Sequence, residues 1–295
     1  MKPLRSLLLA LLWLPLPAVA QQTGTLTLVE GPLRLIRGAA VLQGTRGVRV
    51  QPGDIIESSD AGFVQVEFTG GGIVALGGTT RVLILGRGAG STAELLLLSG
   101  WLKSQAPSSA GVYRCDSPLL GATIENGSLV LHSTAAGAEI FVESGSAHIG
   151  EVSSDGNWRD PHVAKAGQFF SRPAAKNVAV SARPSSTFVD TMPRQFRDTL
   201  ASLASRFTGK PPQPKRDHEV SYSEIQPWLT SPLTWRRGFV RRFQSRLQDP
   251  SFRRPLDAHL RDHPEWGPIL HPPDPKTSPA ALANPDPQNS RRNSQ

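Results

Sequence analysis

Residues 122–150 read ATIENGSLVLHSTAAGAEIFVESGSAHIG: alternating apolar runs stand on either side of Asn126-Gly127, and again on either side of Gly145. Alternate residues of an extended chain point to one face, and glycine tolerates the positive φ of a tight reversal, so each unit reads as a short β-hairpin. Three similar units precede it: LTLVEGPLRLI at 26–36 around Gly31, VQVEFTGGGIVAL at 64–76 around Gly72, and ELLLLSGWLKS at 94–104 around Gly100. The expectation is a mainly β fold over residues 21–185, jelly-roll or sandwich-like or a short β-solenoid of glycine-centred hairpins, followed by a small α-helical module.

The N-terminus points to export. Lys2 and Arg5 precede the apolar run Leu7–Leu16, and Ala18-Val19-Ala20 places small residues where a signal peptidase reads. Residues 1–20 are therefore expected to be a signal peptide, with Gln21 as the mature start and the protein periplasmic or otherwise exported. The uncharged stretch from Ser6 to Gln22 is broken by Pro15 and Pro17 and falls short of the roughly 20 apolar residues a spanning helix needs, so no stable membrane span is expected. The single cysteine, Cys115 in VYRCDS, cannot form an internal disulfide and reads as a buried strand position.

Motif order carries a family resemblance. After the strand-glycine-strand opening at Gly31 come Gly53-Asp54 with Ile55 and Ile56, the alternating Val64-Val66-Phe68 ending in Gly70–Gly72, and Leu98-Ser99-Gly100. Over about residues 24–103 this resembles the FecR-type periplasmic domain, and KAGQFF at 165–170 follows that family's closing strands loosely. The resemblance implies a periplasmic β-domain. Well-known members are transmembrane regulators that relay a signal from an outer-membrane receptor to a cytoplasmic sigma factor; with Lys2 and Arg5 leading straight into the apolar stretch, that regulator architecture is not expected here. Pro52-Gly53-Asp54 itself reads as a turn, as does Asn126-Gly127. The glycine runs at 70–72 and 86–90 lack the Lys-Ser/Thr pair of a phosphate loop.

Charge divides the chain. Lys plus Arg against Asp plus Glu is 13 against 14 over residues 21–190, 14 against 8 over 191–270, and 3 against 2 beyond. The net charge of +8 therefore comes mostly from the C-terminal module, residues 191–270. Within it, Phe196, Leu200, Leu203 and Phe207 recur at helical spacing between Thr191 and Gly209, which predicts an amphipathic helix, and KPPQPKRDH from Lys210 reads as a linker. Ser231-Pro232 and Asp249-Pro250 predict two helix starts. Trp235, Phe239, Phe243 and Leu247 form one apolar stripe; Phe252, Leu256 and Leu260 form another. Residues 271–295, rich in Pro, Asn, Ser and Ala, are expected to be a disordered tail.

Seven arginines fall within the nineteen residues 236–254, with Asp249 as the sole acid among them. Arginine forks bind carboxylate or phosphate bidentately, so Arg236, Arg237, Arg241, Arg242, Arg246 and the neighbouring Trp235 are the candidate partner-binding residues. The competing reading is a solvated face that pairs with the chain's own acids. Trp228, Trp235 and Trp266 read as core anchors ahead of a sugar-stacking platform. His259 and His263 have no third ligand, and no G-x-S-x-G elbow, Cys-His pairing or carboxylate pair stands out, so neither metal, cofactor nor catalysis is expected. The functional expectation is a non-enzymatic binding or scaffolding protein of the cell envelope whose partner is an envelope protein or anionic glycan, not nucleic acid. The alternative is an accessory sensor in envelope signalling.

Overall fold

The structure is a computed structural model that describes residues 24–86 and 93–272. The expected signal peptide, most of the 86–90 glycine run and nearly all of the expected tail lie outside the described residues. Among the described residues, sixteen strands form one hydrogen-bonded system. The first eight are β1 (Gly24–Glu30), β2 (Leu33–Arg37), β3 (Ala40–Gln43), β4 (Arg49–Val50), β5 (Ile55–Ser58), β6 (Phe63–Phe68), β7 (Ile73–Leu76) and β8 (Arg81–Gly86). Next come β9 (Ala93–Ala106), β10 (Tyr113–Asp116), β11 (Leu120–Thr134), β12 (Gly137–Val152), β13 (Trp158–Lys165), β14 (Phe169–Pro173), β15 (Ala179–Ser181) and β16 (Lys215–Glu219). The fold is mainly β, as the alternating runs predict.

Three long strands organise it. One run of pairings goes β16-β3-β2-β5-β8 to the first half of β9, then through β10 and the first half of β11 to the second half of β12 and β13. The other goes β4-β1-β6-β7 to the second half of β9, then through the second half of β11 and the first half of β12 to β14 and β15. β9, β11 and β12 thus belong to both runs, and the sheet folds over on itself around one apolar core. All pairings are antiparallel except β9–β10.

The bends lie at Gly100, Gly127 and Gly145, and this corrects the hairpin reading. Each of these glycines has positive φ, yet the strand continues through it. Core-facing positions change parity at each bend: Leu95 and Leu97 before Gly100, Leu102 and Ala106 after it; Ala138, Ile140 and Val142 before Gly145, Ala147 and Ile149 after it. A register shift accompanies the bend in β11, so the same side of the strand stays inward as it turns the corner. Gly127 and Gly145 are partners across the ladder, and a methyl group on either would meet the opposite backbone carbonyl, Ser144 or Asn126. Asn126-Gly127 is therefore a bend and not a hairpin turn. Gly31 is also no hairpin centre, because β1 and β2 do not pair with each other. Of the five units, β6–β7 around Gly70–Gly72 is the one that reverses on itself.

The sheet's outer surfaces carry two further apolar clusters, and the C-terminal third covers both. Phe63, Ile73, Ala75, Trp101, Val130 and Phe169 face Phe188, Phe196 and Leu200. Ile36, Val41, Ile55, Leu83 and Leu96 share a core with Trp228, Phe239, Phe243, Phe252, Leu256 and Trp266. The expected boundary between β-domain and helical module is thus crossed by continuous packing. The helices are α1 (Ser186–Thr191), α2 (Tyr222–Leu229), α3 (Leu233–Phe243), α4 (Pro250–Ala258) and α5 (Gly267–Leu270). Asp249 caps α4 by accepting from the Ser251 amide, as read from the sequence, whereas Ser231 makes no cap and α3 starts after Pro232.

Two expectations fail here. The helix predicted over 191–209 is an extended strap with single 3-10 turns at 194–197 and 204–207, because side chains on the sheet take the backbone groups a helix would pair internally. The linker predicted from Lys210 ends in β16, which pairs with β3 and closes that edge with the exposed residues Lys215, Arg216, Asp217 and His218. Charged edges of this kind resist pairing with other chains.

Candidate interaction surface

The arginines separate into two sets once their surroundings are known. Arg242 lies over the rings of Phe243 and Phe239, at 5.0 and 5.9 Å. Its Nε donates to the Gly38 carbonyl at 2.8 Å, Nη2 to Ile36 at 2.8 Å and Nη1 to Gly53 at 2.6 Å. Burial pulls its pKa down to about 10, with Asp54 opposing. Arg242 therefore clamps α3 onto the β2–β3 turn and the turn before β5.

Arg236 donates to the backbone carbonyls of Leu229 and Asp262 at 2.8 and 2.5 Å and sits 3.4 Å from Glu265. It ties α3 to the end of α2 and to the chain after α4. Arg246 donates to the Val220 carbonyl at 2.9 Å and to Asp249 at 2.7 Å. Trp235 is buried in the shared core, as are Trp228 and Trp266. Four of the six candidate residues, Trp235, Arg236, Arg242 and Arg246, are thus engaged inside the protein, mostly with backbone carbonyls that sequence reading had no means of locating.

Arg237 and Arg241 are exposed, four residues apart on one face of α3. Arg253 and Arg254 on α4 and Arg261 beyond it are exposed too. Among the described residues none of these five has a carboxylate within ion-pair distance. Of the nearby acids, Asp249 pairs with Arg246, Asp257 with His271 at 2.7 Å and Glu265 with Arg236, while Asp262 is exposed and, among the described residues, in no ion pair. Arg237 also lines an open cleft of about 550 Å³ with Leu233, Thr234, Ser154 and Asp155, between the N-terminus of α3 and the β12–β13 turn.

The remaining candidates are structural in placement. Cys115 is buried, and burial together with Asp116 pushes its thiol pKa up to about 12. His263 is buried with Nε2 3.0 Å from the Leu256 carbonyl, while His259 bonds the Pro255 carbonyl. No group of three or more His, Cys, Asp or Glu among the described residues is placed to hold a metal ion. No helix among them is long and apolar enough to cross a membrane. Asp54 accepts from the Gln51 amide and from Arg37, which fits the turn reading of Pro52-Gly53-Asp54.

No family model and no curated protein matches the chain. Among solved structures it is similar to two crystal structures of a "putative anti-sigma factor" from Parabacteroides distasonis, each at 8% identity and TM-score 0.38 over 44% of this chain and 59% of that one. The chain thus spans less than two-thirds of that protein, and a likeness this distant carries no inference about function. No family model supports the FecR-like resemblance read from the order of motifs between residues 24 and 103.

Proposed function

We propose that this is a non-enzymatic binding protein of the cell envelope, and that it holds an anionic partner, protein or glycan, through the arginines its own fold leaves uncommitted. The observation that carries the reading is the division just described. Arg236, Arg242 and Arg246 spend their donors on the protein and fix the helices against the sheet; Arg237, Arg241, Arg253 and Arg254 project from those fixed helices without an acidic partner. Helices fixed against the sheet lose little backbone freedom when their unpaired guanidinium groups bind carboxylates or phosphates, which leaves side-chain ordering as the main entropic cost.

The test replaces Arg237, Arg241, Arg253 and Arg254 together with glutamine, which is nearly as good a helix former. Retention on immobilised heparin, a defined polyanion, and recovery of partners from envelope extracts are measured at low and high salt. Binding should fall and lose most of its salt dependence, with the melting temperature unchanged. An unchanged salt profile would remove the anionic partner, and a lowered melting temperature would mean that these arginines serve the fold.

A further inference from the structure

The strap over residues 196–204 is held in an unusual way: the sheet grips its backbone and few of its side chains. Lys103 Nζ donates to the carbonyls of Phe196 and Asp198 at 2.6 and 2.9 Å. The Gln105 amide makes a two-point bond with Leu200, donating to its carbonyl and accepting from its N–H, both at 3.0 Å. Gln65 donates to the Ala201 carbonyl at 2.9 Å. The Glu67 carboxylate accepts from the amides of Leu203 and Ala204 and from the Ser202 hydroxyl. Burial alone would raise the Glu67 pKa, yet these bonds bring it below its ordinary value.

Seven backbone groups are read this way, and among the strap residues 194–206 only Phe196 and Leu200 are buried. They enter the apolar floor formed by Phe63, Ile73, Ala75 and Trp101. The polarity of the groove has a direction: a buried ammonium meets carbonyls at the N-terminal half, and a buried carboxylate meets N–H groups at the C-terminal half. Such a face fixes the course and orientation of an extended peptide while placing demands on two side chains four residues apart. Left empty, it would leave Lys103 with Glu143 alone, at 2.8 Å, and Gln65 and Glu67 with each other and Thr27, so groups only 2–4% exposed would lose most of their hydrogen bonds. A second extended peptide laid in the groove restores those bonds.

We propose that this face is a peptide-binding groove whose resident strap can be replaced by an extended segment of a partner polypeptide carrying an aromatic residue and a leucine at the same spacing. The strap forms no ladder with the sheet, so its opening breaks side-chain bonds and spares the β-sheet. It also leaves an open cleft of about 330 Å³ beside Thr199, Leu200 and Ser202, bordered by Gln105, Asn126 and Ser144, where a longer side chain finds room. The chain's own residues 273–295 contain no aromatic residue and cannot supply the anchor.

The probe is a fluorescein-labelled peptide of residues 193–207, added to the full chain and followed by anisotropy. The double variant Phe196→Ala/Leu200→Ala weakens the resident strap and leaves the groove intact; it should bind the peptide at least ten-fold more tightly than the wild type. Adding Gln105→Ala to that variant should abolish the gain, and a scrambled peptide should not bind. A double variant with a wild-type circular dichroism spectrum that fails to bind the peptide overturns the proposal. If that variant does not fold, hydrogen exchange on the wild type decides: the amides of Leu200, Leu203 and Ala204 should exchange at least ten-fold faster than those of β9, and equal protection overturns it. Concentration-dependent dimers dissociated by the peptide would assign the groove to exchange between copies and rule out a foreign partner.

Discussion

Arg242→Met isolates the clamp between helix and sheet. Methionine keeps an apolar stem over Phe243 and Phe239 while removing the three donors. The Ile36 carbonyl lies within a buried residue and loses its charged donor, at a cost of about 1–3 kcal/mol. The carbonyls of Gly38 and Gly53 are in exposed turns and can bond water, so each adds only about 0.5 kcal/mol. The sum is about 3 kcal/mol, which for a protein of this size corresponds to a fall of roughly 6–12 °C in melting temperature. Thermal unfolding by circular dichroism at neutral pH measures it, with Arg241→Met as the control: that neighbour is exposed and unpaired, and should stay within about 0.5 kcal/mol of the wild type. Equal stability of the two variants, in either direction, would refute the division of the arginines on which the proposed function rests.

Glu67 makes the strap sensitive to acid. Its folded pKa lies below the ordinary value, so its stabilising effect is complete above the unfolded pKa and disappears as pH falls through the folded one. In denaturant titrations the stability gap between wild type and Glu67→Gln should be largest at neutral pH and close as the pH falls below the ordinary carboxylate range; a gap that widens in acid contradicts the sign. Gly127→Ala should cost about 2 kcal/mol or more, because a methyl group there adopts a left-handed φ and meets the Ser144 carbonyl in the facing strand; a melting curve like that of the wild type would mean the bend has another cause. Cys115 should react with a thiol reagent only as fast as the protein opens, given its burial and a pKa of about 12. A fragment ending at residue 185 should bind a hydrophobic dye, since it bares Trp101, Phe63 and Ile73 on one outer face and Ile36, Ile55 and Leu96 on the other; a dye-silent, cooperatively melting fragment would show that the β region needs no cover.

The alternating runs, the β-branched and leucine-rich strands and the glycines settle the fold class from sequence alone, because period-two patterning is local and survives without knowledge of partners. The two apolar stripes after residue 231 likewise identify α3 and α4. What sequence could not decide was where each local element finds its partner. Positive φ at Gly127 serves a bend as well as a reversal, and only the pairing of β11 with β9 and β12 distinguishes them. The parity slip of apolar residues across Gly100, Gly127 and Gly145 was the available signal. Phe196 and Leu200 carried a helical period, but the segment became a strap because Gln65, Glu67, Lys103 and Gln105, 90 or more residues away, claim its backbone. Clustered arginines marked the module at once, yet Arg242 and Arg241 are neighbours with identical chemistry. One meets three carbonyls and the other faces solvent, a difference set by helix phase and by which turns of the sheet come within reach.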